Sequence, residues 1–253
     1  MNDWIDKIDR LNLSLFAAVP SQTSAGDRRS LLAVQRTTAR KYREYIYLEI
    51  GSYLGGSLQP HLVDDRCKRI YSIDPRPAHQ PDDRAIGYVA HYENNSTEMM
   101  LTLLGRIGYG DLAKITCFNQ DASEIDLGTI TQNAHLAFID GEHTKTAVVL
   151  DFQFCRKVVS IGGSILFHDF WIIYPAIIDI CKMLDRQCTR YMPLKLEDNI
   201  FAIFFDPDTV CSDPYLSALY KRNRNFWFSF RVKTWLKKIL PTPLLKLLRW
   251  VRR

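Results

Sequence analysis

Two short stretches of this chain carry groups that could do chemistry together. FIDGEH, residues 138–143, ends an apolar run on Asp140 and sets His143 three residues further on. LFHDFW, residues 166–171, ends another run on His168 and Asp169. If the two runs are neighbouring strands, their terminal carboxylates stand about 5 Å apart laterally. Carboxylates that close either share a proton or hold a hard cation through oxygen. The plainer alternative is that each caps its strand end and accepts from loop amides. A histidine with a pKa near neutrality suits general-base work on a hydroxyl, and His143 is either that base or a supporting histidine at a helix start. Glu142 reads as a helix-start acid and Asp151 as a solvated charge. His61, His79, His91 and His135 lack metal-ligand spacing and take no role.

Strands alternating with helices would position these groups. The pattern predicts strands over 44–50, 69–74, 113–120, 135–140, 163–169 and 199–205, and helices over 57–66, 145–159 and 175–186. A further helix is expected to open with an Asn95/Glu98 capping box. Ahead of them, 1–16 and 30–43 read as helices joined by a loop over 20–30. Such alternation argues for a mostly parallel sheet covered on both faces, whose ligands bind beyond the carboxyl ends of the strands. Glu49-Ile50-Gly51, Asp74, Gln120-Asp121, Asp140 and His168-Asp169 stand at those ends. Four of the five strands finish on a carboxylate.

The first of these ends, YLEIGSYLGGS, breaks into Gly51, Gly55 and Gly56. Glycines permit a sharp turn and a close backbone approach, yet neither G-x-G-x-x-G nor G-x-x-x-x-G-K-[ST] is present. Asp74 follows Gly51 by 23 residues and ends the second strand, where a carboxylate accepts from ribose hydroxyls. A ribose-bearing ligand is therefore expected.

YLEIGSYLGGS, YSIDP, FNQDASEI, LAFIDGEHTKTAVVLDF and GGSILFHDFW occur in the order found in class I S-adenosylmethionine-dependent methyltransferases. More narrowly, they resemble the catechol-O-methyltransferase-like group and its bacterial relatives that methylate sugars and natural products. The resemblance covers about residues 44–205. It implies a Rossmann-like, doubly wound, mostly parallel seven-stranded sheet with helices on both faces. It further implies that Glu49, Gly51, Ser52, Gly55 and Ser57 line the methionine part of S-adenosyl-L-methionine, that Asp74 holds the ribose, and that Asp121 and Ala122 border the adenine. Asp140 and Asp169 would bind a divalent cation, usually Mg2+, with Asp140 also facing the donor and His143 taking the substrate proton. Where the catechol enzymes carry an amide after the second acid, Phe170 stands here, so His168 is the expected substitute ligand. The loop 75–90 is longer and more charged than the resemblance predicts.

The remaining sequence divides by charge. Residues 221–253 hold eleven Lys/Arg and no Asp/Glu, whereas the first 220 hold 22 basic and 28 acidic residues. The expected organisation is an N-terminal helical preamble over 1–43, the donor-binding domain over 44–206 and a basic amphipathic extension over 207–253. Six aromatics and two leucine-rich patches over 225–253 suit an anionic membrane surface, against packing on the body or on a second subunit, or nucleic-acid binding, which the leucines disfavour. No apolar run reaches membrane-spanning length, and the acids at 3, 6 and 9 fit a secretory signal poorly. Six cysteines without C-x-x-C suit a reduced, cytoplasmic protein, peripheral at the inner face of a membrane through its tail. The reading is an O-methyltransferase acting on a sugar, glycan or small natural-product hydroxyl. The alternatives are an NAD-dependent oxidoreductase, for which Asp74 would also serve, and a non-catalytic scaffold that keeps the fold and docks by its tail.

Overall fold

The computed structural model describes residues 3–239. Its centre is β1 (Tyr45–Ile50), buried at every position. Side chains alternate along a strand, so β1 feeds two cores. Ile46, Leu48 and Ile50 join one apolar cluster, and Tyr45 and Tyr47 join the other. A strand covered on both faces needs the continuous apolar run seen here.

In chain order, α1 (Asp3–Asp9) and α2 (Ala25–Tyr42) precede β1, and the single turn α3 (Gln59–Leu62) leads to β2 (Cys67–Ile73). A hairpin, β3 (His79–Pro81) and β4 (Val89–His91), precedes α4 (Thr97–Gly105), β5 (Ile115–Phe118), β6 (Ala134–Ile139) and α5 (Lys145–Val158). β7 (Val159–Phe167), α6 (Phe170–Arg186), β8 (Met192–Lys195) and β9 (Phe201–Phe204) complete the sheet. α7 (Asp208–Cys211), α8 (Pro214–Asn223) and α9 (Phe226–Ile239) follow. The seven-stranded sheet runs β5-β2-β1-β6-β7-β9-β8, parallel through β7, with β9 antiparallel to both neighbours. Strand order reverses between β1 and β6, which opens the crevice there. α5 and α6 cover one face, while α2 and α8 cover the other.

The α/β architecture is as expected, and the differences have local causes. α2 starts at Ala25 because Ser24 and Asp27 form a reciprocal capping box, inside the stretch read as a loop. The Asn95/Glu98 box does not form: Ser96 caps α4, and Asn95 instead bonds Pro77 and Arg76. The expected helix over 57–66 is one turn, and α6 begins at Phe170, ahead of Pro175. β8 was not anticipated; it is an edge strand that tolerates Pro193. The N-terminal helices are joined to the body by buried Arg36, whose guanidinium donates to both oxygens of Asp213 at 2.8 Å. The tail's patch beyond residue 239 lies outside the described residues. Among the described residues no helix is long and apolar enough to cross a membrane.

Two residues at the end of β1 carry unusual constraints. Gly51 has φ of 86°, and a Cβ there would lie 2.2 Å from the Asp140 carbonyl oxygen. The ends of β1 and β6 can approach this closely only without that carbon. Gly51→Ala should therefore destabilise the fold by about 2–4 kcal/mol, read as a lower thermal midpoint; an unchanged midpoint would contradict the account. Glu49 is fully buried and accepts from Ser57 Oγ at 2.6 Å and Tyr47 Oη at 2.5 Å. Burial outweighs these bonds and pushes its pKa up to about 8. The folded state thus holds a proton that the unfolded chain releases above the ordinary carboxylate value. The associated stability is full in mild acid and is lost as pH rises through about 8. Glu49→Gln removes this titration, so its thermal midpoint should gain on the wild type as pH is raised. Parallel curves for the two proteins would contradict that assignment.

Candidate functional site

The sheet's hydrogen bonding continues one residue past each strand and sets four polar positions in a row. Asp74 N donates to Phe118 O at 2.9 Å, and Gly51 N to Ile73 O at 2.8 Å. Asp140 N donates to Ile50 O at 2.8 Å, and His168 N to Ile139 O at 3.0 Å. Asp74, Gly51, Asp140 and His168 therefore stand in a row along one edge of the sheet because the ladder itself places them there.

On the β1 side the crevice is a pocket walled by Gly51, Ser52, Ser57, Asp74, Asp140 and His143. Asp74 is buried; its oxygens accept at 2.8 Å from the amides of Tyr53 and Arg76, which fixes the carboxylate plane. Each oxygen keeps a further lone pair for a ligand hydroxyl. Ser52 Oγ is buried without a hydrogen-bond partner, a polar atom that a bound ligand would satisfy. Gly56 serves a different approach: a Cβ there would lie 2.5 Å from the Pro20 carbonyl oxygen. The segment Pro20–Thr23 thus lies directly on the glycine turn and closes one wall of the pocket.

Beyond Asp140 the groups alternate in charge. His168 Nδ1 lies 3.0 Å from Asp140 Oδ1, and its Nε2 lies 3.3 Å from Asp27 Oδ2. His143 Nδ1 lies 2.8 Å from Asp82 Oδ2, while Arg84 donates to both Asp82 oxygens at 2.9 and 3.0 Å. His143 Nε2 lies 3.1 Å from Asp169 Oδ2 and 3.9 Å from Asp140 Oδ1, aligned as a hydrogen bond with neither. Asp169 takes left-handed backbone angles, φ 49° and ψ 40°, and although it precedes α6 its side chain makes no capping bond. Its carboxylate turns to the histidines instead, a conformation aspartate tolerates better than most residues. Asp140, His143 and Asp169 can each present one ligand atom within 4.8 Å of the others.

The electrostatics follow from this alternation. Burial alone would lower His168, but Asp140, Asp169 and Asp27 outweigh it and hold the ring protonated. Burial likewise opposes the charge on His143, and Asp140, Asp169 and Asp82 raise its pKa above the usual value. Asp140 would be raised by burial, yet the two imidazoles hold it below the ordinary carboxylate range.

Several expected residues fall elsewhere. His168, expected as a metal ligand, is buried between Asp27 and Asp140, with both ring nitrogens facing carboxylates. His143 takes the place beside the acids. Phe170 is buried and stacks on Phe201. Glu49 and Gly55 lie behind the pocket wall, where Glu49 holds Ser57 from the rear. Asp121 and Ala122 are not in the wall either: Asp121 is exposed and Ala122 is packed in the core. Asp151 is buried rather than solvated, and burial with Asp121 and Glu142 nearby raises it to about 7. The four histidines given no role include His61, stacked on Tyr47, and His135, which accepts from Ile46 N. Sequence reasoning missed Asp27, Asp82 and Arg84, and also Gln80 and Tyr92, which line the pocket. The signal for Asp27 was its capping box; for Asp82 and Arg84, it was the unusual charge of the 75–90 loop.

Residues 48–170 match the methyltransferase-domain family. An uncharacterized protein of Acanthamoeba polyphaga mimivirus is 29% identical over 158 residues, which span 60% of this chain and 65% of that relative. Among solved structures, the O-methyltransferase NovP superposes with a TM-score of 0.56 at 13% identity, covering 79% of this chain and 97% of NovP. The O-methyltransferase TomG from Streptomyces achromogenes gives 0.51 at 14% identity, covering 81% of this chain and 91% of TomG. The MycE methyltransferase of mycinamycin biosynthesis gives 0.51 at 14% identity, covering 79% of this chain and 56% of MycE. At such identities the superpositions speak for the fold, while the family match speaks for the domain. The chain thus has the fold of these methyltransferases, with a pocket where strand order reverses, and its residues 48–170 are similar to the methyltransferase-domain family.

Proposed function

We propose that this protein transfers the methyl group of S-adenosylmethionine to a hydroxyl oxygen of a sugar, glycan or small natural product. The observation that carries the reading is the convergence of Asp140, Asp169 and the unpartnered His143 Nε2 beside the donor pocket. The structures of NovP and TomG, both named O-methyltransferases, support the oxygen acceptor. MycE, solved with Mg, S-adenosylhomocysteine and mycinamycin VI, supports both the cation and a natural-product acceptor.

On the donor side, Asp74 receives the ribose hydroxyls, and Ser52 and Ser57 face the amino-acid end. The sulfonium is already reactive, so these groups align the methyl with the acceptor and exclude water. On the acceptor side, Asp140 and Asp169 offer hard oxygen donors suited to Mg2+. Such a cation, when bound, orients the acceptor hydroxyl and lowers its pKa. The softer imidazole of His143 is left to take the hydroxyl proton at Nε2. Asp82 holds the other ring proton at Nδ1, and Arg84 keeps Asp82 in place. The lone pair of Nε2 then faces the acceptor.

Calorimetry should show S-adenosylhomocysteine binding and no NAD binding; the reverse would favour the oxidoreductase. Asp169→Asn should retain S-adenosylhomocysteine affinity yet abolish labelled-methyl transfer across a panel of sugar and polyphenol acceptors. Transfer that persists in this variant and in chelator would remove the cation from the mechanism. His143→Ala should lower the rate roughly a hundredfold or more. Asp82 raises the pKa of His143, so Asp82→Asn should move the acid limb of the rate profile to lower pH while reducing kcat. An unmoved limb would argue against His143 as the base.

A further inference from the structure

α9 is apolar on two sides. Its inner side carries Trp227, 6% exposed, together with Phe226 and Phe230, which pack on Phe170 at ring separations of 5.3–6.4 Å. This part of the extension therefore packs on the body. The outer side is bare: Phe228 is 72% exposed, Val232 39% and Trp235 59%. These three stand at i, i+4 and i+7, one stripe along the helix. Large apolar groups aligned this way on a solvent face mark an interaction surface, unlike scattered single exposures.

The surrounding charge selects the partner. Arg231 pairs with Asp185, and Arg222 lies 3.9 Å from Glu197. Among the described residues Lys221, Arg224 and Lys233 have no ion pair, and they lie on the exposed side of this region. The following segment, 240–253, adds Lys246, Arg249, Arg252 and Arg253 without an acid. Laying that segment back on the stripe, or apposing a second copy through the same face, would set cations against cations. An anionic surface reverses the sign of every such term. The bare groups are one valine and two aromatics, and leucines dominate the segment beyond, which suits hydrocarbon better than stacked bases.

We propose that the outer face of α9 docks on an anionic lipid bilayer. Phe228, Val232 and Trp235 enter the boundary between headgroups and acyl chains, and Lys221, Arg224 and Lys233 lie against the headgroups. The two contributions act together, since neither three side chains nor a polybasic stretch alone anchors a protein firmly.

The test is flotation of the full chain with vesicles of phosphatidylcholine, alone or mixed with phosphatidylglycerol. The wild type should float with the mixed vesicles, stay behind with the neutral ones, and be released by high salt. A triple variant, Phe228→Ser, Val232→Ser and Trp235→Ser, changes only exposed positions and should keep its thermal midpoint and S-adenosylhomocysteine affinity. Its partitioning should fall roughly tenfold or more. No flotation of the wild type, or equal flotation of the triple variant, would overturn the proposal. So would a wild-type dimer that the triple variant disperses, or tighter binding to a single-stranded oligonucleotide than to mixed vesicles. Any of these failures would leave the methyl-transfer reading intact, because donor affinity is measured separately.

Discussion

The site depends on one electrostatic constraint: its buried carboxylates must be interleaved with positive charge. An unpaired buried charge costs several kcal/mol, and removing one partner of a buried pair exposes that cost. Here Asp27, His168 and Asp140 form one alternating run, and Arg84, Asp82, His143 and Asp169 form another. The runs draw on α2, the β3–β4 connection and the ends of β6 and β7. Three separate parts of the chain must therefore be in place before either run is satisfied, and four before both are.

That constraint joins the two halves of the proposed reaction. Asp140 belongs to the donor pocket wall and also to the first run, so the position of His168 bears on both. The close approach at Gly51 brings the β1 turn against the β6 end, leaving no gap between donor and acceptor sides. The Pro20–Thr23 segment covers the same turn and leads directly into α2, which carries Asp27. A segment that lies outside the recognisable domain thus supplies a wall of the pocket, and the helix it leads into supplies a partner for the central histidine.

What could be read in the sequence follows from the range of the interactions. Asp74, Asp140 and Asp169 were legible because a strand end is a local feature, and parallel strands turn such ends into neighbours. His143 was legible by its spacing from Asp140. The surroundings of the histidine beside Asp169 were not legible, since the carboxylate that engages its second nitrogen lies 141 residues earlier in the chain. Asp82 reaches His143 across 61 residues from a loop whose charge was noticed without its target. Expectations for Asp121 and Ala122 came from resemblance, and resemblance cannot say which side of a local 3-10 turn faces a ligand. β8 was hidden by Pro193, which a central strand would not admit but an edge strand does.

The extension shows the same division between local and distant information. Composition revealed its basic, aromatic character, whereas only the fold separates the rings that pack on Phe170 from those left facing solvent. The account as a whole rests on the protonation of the two site histidines. Nitrogen-15 spectra of the ring nitrogens against pH measure this directly. His168 should remain doubly protonated throughout the neutral range, while His143 titrates and its Nε2 resonance shifts on addition of Mg2+. A neutral His168, or a His143 signal indifferent to both pH and Mg2+, would contradict it.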